Sequence, residues 1–108
     1  MQVGIDIQEV APVKKLMNKI DRVFTEYEIE YIRERGNNSR TIAGLWCAKE
    51  AYFKALGTGI QLNKLKEIEI RHDKSGRPYY FEKPSVTLSI SHTENYATAV
   101  CIIFDSSL

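Results

Sequence analysis

The segment 42–56 constrains the fold most strongly, because it is almost entirely apolar or small and yet carries three charged residues. These are Lys49, Glu50 and Lys54. A stretch of this length, ended by Gly57, predicts a long helix that packs against the rest of the chain. On that helix Glu50 and Lys54 lie one turn apart. They therefore form an ion pair, stay solvated at an edge, or contact a ligand.

The length and composition predict a single globular domain over residues 1–108. A chain of 108 residues, 44% of them hydrophobic, can form one core but not two. No apolar run approaches the roughly 20 residues of a membrane span, and the N-terminus lacks a signal-peptide layout, so we expect a cytoplasmic protein without membrane insertion. The net charge of +1 excludes the overall electrostatic signature of a nucleic-acid-binding protein. Cys47 and Cys101 are predicted to be reduced core residues.

The first half of the chain predicts one strand followed by three helices. Residues 2–10 alternate as in a half-buried strand, with Val3, Ile5 and Ile7 on the apolar face. A first helix opens at Ala11-Pro12. A second runs over 26–35 behind a Thr25–Glu28 capping box, and the third is the long helix to residue 56. The stripe of the first helix that we expect to be buried consists of Val13, Leu16, Met17 and Ile20.

The second half of the chain reads as strands. Residues 67–72 and 79–81 flank a turn at 73–76 and predict a hairpin, and residues 86–91 alternate again. Residues 97–104 are nearly all apolar, which is typical of a central strand buried on both faces. The expected fold class is α+β, with the helices covering one face of a mainly antiparallel sheet.

Two carboxylates, Asp6 and Glu50, are candidate metal ligands. Asp6 is unusual within a strand, and Gly4 on the same face leaves room for something to approach. Two carboxylates from different elements could hold Mg²⁺ together with waters and substrate phosphates. Simpler roles remain open: Asp6 as a solvent-facing residue of an edge strand, and Glu50 as the ion-pair partner of Lys54.

Three further features could contact phosphate or a partner. His92 follows a strand among hydroxyl residues, where it could donate to phosphate oxygens or simply lie at the surface. The turn Gly57-Thr58-Gly59 could bring bare backbone close to a phosphate, or serve only as turn chemistry. A basic face on the first helix could bind an acidic partner or be merely solvated. It is formed by Lys14, Lys15, Lys19 and Arg22.

Three motifs together are more specific than any one of them. They are the segments 4–7 (Gly-Ile-Asp-Ile), 47–60 (Cys-Ala-Lys-Glu-Ala-Tyr-Phe-Lys-Ala-Leu-Gly-Thr-Gly-Ile) and 89–93 (Ser-Ile-Ser-His-Thr). In order, spacing and overall length the chain resembles the holo-[acyl-carrier-protein] synthase family, the small single-domain 4′-phosphopantetheinyl transferases. The resemblance covers essentially the whole chain.

This resemblance implies transfer of 4′-phosphopantetheine from coenzyme A to a serine of an apo acyl carrier protein, in fatty acid biosynthesis, with release of adenosine 3′,5′-bisphosphate. It also implies that Asp6 and Glu50 hold Mg²⁺, that Lys54 binds phosphate, and that the 57–59 turn and His92 contact coenzyme A. The basic face of the first helix would receive the carrier. Family members are typically homotrimers with the active site between neighbouring subunits.

The chain departs from the family pattern at three places. Ala11-Pro12 replaces the usual basic residue after the first motif, Leu45 stands where many members have arginine, and Gln8 stands where larger transferases have a third acidic ligand. Two alternatives follow. One is the same chemistry on a carrier of a specialised secondary pathway, and the other is a non-catalytic module that binds a nucleotide or a partner.

Overall fold

The computed structural model describes residues 1–104 and has the α+β architecture that the sequence predicts. None of the helices in this range is long and apolar enough to cross a membrane. The elements in chain order are strand β1 (Gln2–Glu9), a first 3₁₀ helix (Ala11–Lys19), helices α1 (Ile20–Val23), α2 (Glu26–Glu34) and α3 (Ser39–Leu56), a second 3₁₀ helix (Leu62–Glu67), and strands β2 (Ile70–His72), β3 (Pro78–Tyr80), β4 (Val86–His92) and β5 (Tyr96–Ile103).

The strands form two antiparallel sheets rather than the single sheet expected. A three-stranded sheet has the order β1-β5-β4, and β2 pairs with β3 in a separate hairpin. The central position of β5 is therefore confirmed. Burial of β5 on both faces is wrong, because its residues alternate between buried and partly exposed positions. The predicted strand over 67–72 is shorter than expected, since residues 62–67 form the second 3₁₀ helix.

The helix caps that the sequence predicts at the start of α2 and the end of α3 are present. Thr25 Oγ1 accepts from the Glu28 amide at 3.2 Å, and Glu28 Oε1 accepts from the Thr25 amide at 2.9 Å, which completes the capping box at the start of α2. Helix α3 ends at Gly57, whose φ of 79° is left-handed. The first helix differs from the prediction, because it is a 3₁₀ helix followed by the single turn of α1. Of its predicted stripe only Val13 is fully buried, and Met17 is 37% exposed.

Helix α3 packs directly on the inner face of the three-stranded sheet, and Gly4 makes this possible. A Cβ atom at Gly4 would collide with the carbonyl oxygen of Ala51 and lie 2.5 Å from the backbone nitrogen of Ala55. Gly4 does leave room for something to approach, as the sequence predicts, and what approaches is the backbone of α3.

The face of β1 that packs on the core is the opposite of the one predicted. Asp6 is only 6% exposed, whereas Val3, Ile5 and Ile7 are 56%, 63% and 66% exposed. The alternation is as expected, but the polar and small side of the strand lies against α3. The interpretation of Asp6 as a solvent-facing residue is thus wrong.

Lys49 and Glu28 form an ion pair in the core. Lys49 Nζ lies 2.7 Å from Glu28 Oε1 and donates to the carbonyl oxygens of Leu65 and Ile68 at 2.7 and 2.5 Å. Glu28 Oε2 accepts from the Ile70 amide at 2.7 Å. The pair thereby joins α2, α3, the second 3₁₀ helix and β2, with both charged groups satisfied.

Candidate functional site

Strand β1 and helix α3 bring Asp6, Glu50 and Lys54 into one cluster. Lys54 Nζ lies 3.0 Å from Asp6 Oδ1, and its side chain is 52% exposed while that of Asp6 is buried. Within residues 1–104, Lys54 forms this ion pair with Asp6, and no ion pair of 4.0 Å or less joins Lys54 to Glu50. The simple intrahelical pair considered for Glu50 is therefore replaced by a contact between elements 48 residues apart in sequence.

The cluster holds more negative charge than a single lysine neutralises. Burial, together with the nearby carboxylate of Asp6, raises the pKa of Glu50 to about 7. Lys54 only partly offsets that shift. The hydrogen bond to Asp6 raises the pKa of Lys54, so its ammonium stays charged. A bound cation would offset the repulsion between these two neighbouring, partly buried carboxylates.

The donor set agrees with Mg²⁺. Asp6 Oδ2 is buried and has no hydrogen-bond donor among the described residues. Mg²⁺ takes oxygen ligands and commonly binds one or two protein carboxylates, with water and phosphate completing its octahedron. Asp6 and Glu50 could supply these protein oxygens. Residues 1–104 contain no group of three or more histidine, cysteine, aspartate or glutamate side chains placed to hold a metal.

Cys47 is a neighbour of the cluster that sequence reasoning assigned only to packing. Its thiol is buried and free, and it donates to the carbonyl oxygen of Ala97 at 3.4 Å. Burial, followed by the nearby Asp6 carboxylate, raises the pKa of this thiol far above its usual range. The thiol therefore stays protonated and is not a nucleophile. Its place one turn before Glu50 was the available signal for its proximity.

The 57–59 turn offers few free backbone amides to a phosphate, because two of its three amides are already hydrogen-bonded. The Gly57 amide donates to the carbonyl of Lys54 at 3.0 Å, and the Thr58 amide donates to that of Phe53 at 3.3 Å. These bonds close the C-terminus of α3 in a Schellman arrangement. The Thr58 hydroxyl donates to the carbonyl of Gly59 at 3.1 Å. Within the described chain, only the Gly59 amide of this turn makes no backbone hydrogen bond.

His92 lines a cavity that does not include the carboxylate cluster. It ends β4 and packs on the N-terminal half of α3, where its Nε2 would lie 3.4 Å from a Cβ atom at Gly44. It lines a cavity of about 230 Å³ together with Arg35, His72 and Leu45. Neither carboxylate of the cluster, nor Lys54, lines this cavity. The structure thus brings Asp6, Glu50 and Lys54 together, and no contact among the described residues joins His92 to them.

The four basic residues of the first helical segment are all exposed. Lys14, Lys15 and Lys19 lie on the first 3₁₀ helix, and Arg22 lies on α1. None of them belongs to an ion pair of the described residues. Four exposed cations on one short segment form a positive surface that an acidic partner could contact.

Comparison with known proteins gives a consistent result. The profile of the 4′-phosphopantetheinyl transferase superfamily matches residues 2–101. The holo-[acyl-carrier-protein] synthase of Fusobacterium nucleatum is 37% identical over 117 aligned positions, which cover 94% of this chain and 96% of that protein. The protein of the same name from Chloroherpeton thalassium is 40% identical, with 95% and 97% covered.

Solved structures agree with these sequence matches. The holo-(acyl-carrier-protein) synthase of Bacillus anthracis, solved in complex with CoA (3′,5′-ADP), superposes with a TM-score of 0.84 at 35% identity and covers 97% of this chain and 96% of that one. The synthase of Helicobacter pylori, solved in complex with coenzyme A, has a TM-score of 0.79 at 30% identity, with 94% and 98% covered. The α+β fold is therefore that of these enzymes.

Proposed function

This chain belongs to the 4′-phosphopantetheinyl transferase superfamily, and we propose from that membership that it transfers 4′-phosphopantetheine from coenzyme A to a serine of an apo acyl carrier protein. The serine oxygen forms a new bond to the phosphorus that bears pantetheine. The bond from that phosphorus to adenosine 3′,5′-bisphosphate breaks. The observation that carries the proposal is the cluster of Asp6, Glu50 and Lys54 on a chain that resembles these enzymes along almost its whole length.

Asp6 and Glu50 are the proposed ligands of Mg²⁺. The buried Oδ2 of Asp6 without a donor, and the raised pKa of Glu50, both support a cation between them. When bound, Mg²⁺ would polarise the pyrophosphate and neutralise its charge. Gln8 is an amide that points to the same side of β1 as Asp6, so two carboxylates rather than three are expected on the metal.

Lys54 is proposed to contact the transferred phosphoryl group. Its side chain is half exposed and its ammonium lies 3.0 Å from Asp6, so it can reach a phosphate without leaving the cluster. Phosphoryl transfer depends mainly on positioning and charge neutralisation, and the carrier supplies the nucleophile. We therefore expect no covalent intermediate on this protein. Of the 57–59 turn, the Gly59 amide is the group most available to the nucleotide.

The carrier is proposed to dock on the basic surface of Lys14, Lys15, Lys19 and Arg22. Opposite charges on two partners chiefly raise the rate of encounter. An acyl carrier protein of fatty acid biosynthesis in the cytoplasm is the proposed partner. Because Ala11 and Pro12 carry no charge, the positive surface begins later in the chain than the family pattern has it.

A homotrimer with shared active sites is the proposed assembly. The exposed side chains of Val3, Ile5 and Ile7 form an apolar outer face on β1. Their partners on β5 extend that face with Ile102 and Val100, so a second copy has an apolar surface to cover. His92 lines a cavity to which Asp6 does not contribute, which also supports a site completed by a neighbouring subunit. A stable, fully active monomer in light scattering would contradict the trimer.

The function is tested by the release of adenosine 3′,5′-bisphosphate from coenzyme A with an apo carrier present. Release should need both the carrier and Mg²⁺, and the carrier should gain the mass of phosphopantetheine. Asp6→Ala and Glu50→Ala should abolish transfer while circular dichroism stays unchanged. Glu67→Ala, which removes an exposed carboxylate of the second 3₁₀ helix, is the matched control.

The same assay separates the alternatives. Transfer to a carrier of a specialised pathway, and not to a fatty acid carrier, would keep the chemistry and change the partner. Coenzyme A binding without any transfer over a panel of carriers would indicate a non-catalytic binding module.

A further inference from the structure

The buried Lys49–Glu28 ion pair takes no part in the proposed chemistry, although Lys49 directly precedes a proposed metal ligand on α3. Its ammonium group has three oxygen partners. They are Glu28 Oε1 at 2.7 Å and the carbonyl oxygens of Leu65 and Ile68 at 2.7 and 2.5 Å. Three acceptors use every donor of an ammonium group, and neither side chain of the pair is exposed. The end of the Lys49 side chain is therefore fixed in place.

The acceptors of Lys49 are themselves held by other elements. Glu28 Oε1 also accepts from the Thr25 amide at 2.9 Å, and Glu28 Oε2 accepts from the Ile70 amide at 2.7 Å. The partners of Lys49 thus belong to α2, β2 and the second 3₁₀ helix and cannot follow a moving lysine. Together they hold α3 from one side.

The opposite side of α3 is held by β1. Gly4 lets the backbone of α3 at Ala51 approach the strand that carries Asp6. At about 100° per residue, Ala51 lies about 200° round the helix from Lys49, and Glu50 lies between them at about 100°. The two contacts therefore fix the rotation of α3 about its axis and its distance from β1. With these, they fix the place of Glu50 opposite Asp6.

The carboxylate of Glu50 is sensitive to a small rotation of the helix. A side chain that reaches roughly 5 to 6 Å from the helix axis moves about 2 Å when the helix turns by about 20°. Metal ligands have to be held to within about 0.5 Å. The remaining buried residues of α3 are apolar or small, and apolar contacts have no preferred direction. The hydrogen-bonded charge of Lys49 is directional, so it opposes a rotation that the apolar contacts would allow.

We propose that Lys49 is a positioning residue for the metal site, which holds Glu50 in register with Asp6 through its buried contacts to Glu28 and the second 3₁₀ helix. This inference rests on the proposed function, in which the two carboxylates bind Mg²⁺. Lys49 touches neither the substrate nor the metal, and it acts only through the orientation of α3.

The test measures binding of Mn²⁺ alone, which takes the same oxygen ligands as Mg²⁺ and is detected by electron paramagnetic resonance. Lys49→Met should weaken Mn²⁺ binding about 10- to 100-fold in protein that circular dichroism shows to be folded. Lys49→Met combined with Glu28→Gln leaves no unpaired buried charge, so it should resist urea better than the single variant. Its Mn²⁺ affinity should stay about 10-fold below that of the wild type, because the directional contact is still missing. The double variant separates positioning from stability and carries the test if the single variant does not fold.

Leu88→Ala is the matched control for a general loss of stability, because it removes buried packing from β4 and no charged group. It should leave the Kd for Mn²⁺ within about twofold of the wild-type value. Wild-type affinity in a folded Lys49 variant, or equal weakening by Leu88→Ala, would overturn the positioning role and leave the proposed function standing.

Glu50→Ala tests the site on which the inference rests, and it should remove the Mn²⁺ binding of the wild-type protein. Binding that is absent from the wild type, or unaffected by Glu50→Ala, would overturn the proposed metal site together with the role of Lys49.

Discussion

The ammonium group of Lys49 lies 2.7 Å from the carboxylate of Glu28, and neither side chain is exposed to solvent. Burial raises the pKa of Glu28 and lowers that of Lys49, and each partner opposes the shift of the other. The pair survives in the core because backbone groups of Leu65, Ile68 and Ile70 complete its hydrogen bonds.

Removing one partner of this pair should be severe. Lys49→Met keeps most of the volume but leaves Glu28 buried and unpaired, so we expect a loss of about 3–5 kcal/mol in the free energy of unfolding. Urea denaturation measures it. The loss should shrink as the pH falls, because an unpaired buried carboxyl takes up a proton. Arg33→Ala, which breaks an exposed pair, should cost under about 1 kcal/mol. Similar losses for the two variants would contradict a structural role for the buried pair.

Gly4→Ala should destabilise the fold, because the new methyl group would collide with the backbone of α3 at Ala51. Backbone atoms of a packed helix cannot move aside singly, so we expect a cost of about 3 kcal/mol or more. Gly44→Ala is the matched comparison. Its Cβ would meet the side chains of Ile90 and His92 at 3.2 and 3.4 Å, and those side chains can shift. Its cost should stay within about 1 kcal/mol, since alanine also favours the helix.

Metal binding should depend on pH through Glu50. Its pKa of about 7 means that Mg²⁺ must displace a proton below that pH, so affinity should rise up to about pH 7 and then level off. The metal-free protein should behave in the opposite sense. Because its folded state holds this proton above the ordinary pKa of 4.5, stability contributed by Glu50 is lost as the pH rises toward 7.

Calorimetry in two buffers of different ionisation enthalpy measures the released proton, and thermal unfolding without metal measures the stability. Glu50→Gln should remove both pH dependences. If this variant kept them unchanged, the proton would have to be assigned to another group.

Charge reversal on the basic surface should impair recognition of the carrier. Lys15→Glu with Arg22→Glu should raise KM for the apo carrier about 10-fold, weaken its salt dependence, and leave KM for coenzyme A nearly constant. Lys64→Glu with Lys66→Glu makes the same change of charge on the second 3₁₀ helix and should have little effect. Wild-type efficiency of the first variant at low salt would contradict this docking surface, and the loop at Asn37 and Asn38 would be tested next.

A shared active site should allow two inactive variants to complement each other. Asp6→Ala and His92→Ala should each reduce transfer strongly when alone. After mixing, mild unfolding and refolding, assemblies should contain some sites with both residues intact, and activity should return in part. The unmixed variants, treated in the same way, are the control. If every site were formed within one chain, mixing would restore nothing.

The sequence predicted the local features of the fold because their causes are local. The Thr25–Glu28 capping box, the end of α3 at Gly57 and the hairpin around residues 73–76 each depend on neighbours within a few residues. Periodicity could not choose the buried face of β1. Apolar side chains favour one face, but the absence of a side chain at Gly4 lets α3 approach the other, and that approach depends on residues far along the chain.

The candidate site was only partly visible for the same reason. Helical spacing paired Lys54 with Glu50, whereas the fold pairs it with Asp6 across 48 residues. The family resemblance implied that Asp6 and Glu50 act together. Composition and spacing alone could not predict that these two residues are close in space. The stacked rings of Tyr31 and His72, which line the cavity beside His92, come from α2 and β2, and neither residue has a local pattern that indicates a partner.

One turn of α3 has consequences for redesign. Lys49 forms the buried ion pair, Glu50 belongs to the carboxylate cluster, and the backbone of Ala51 contacts Gly4. Three consecutive residues thus point to three separate neighbours, so the helix cannot rotate or slide to accommodate a new ligand without losing one of them. An engineer who wants the protein to accept another carrier should therefore diversify the first 3₁₀ helix. This turn would be kept as the fixed part of every library.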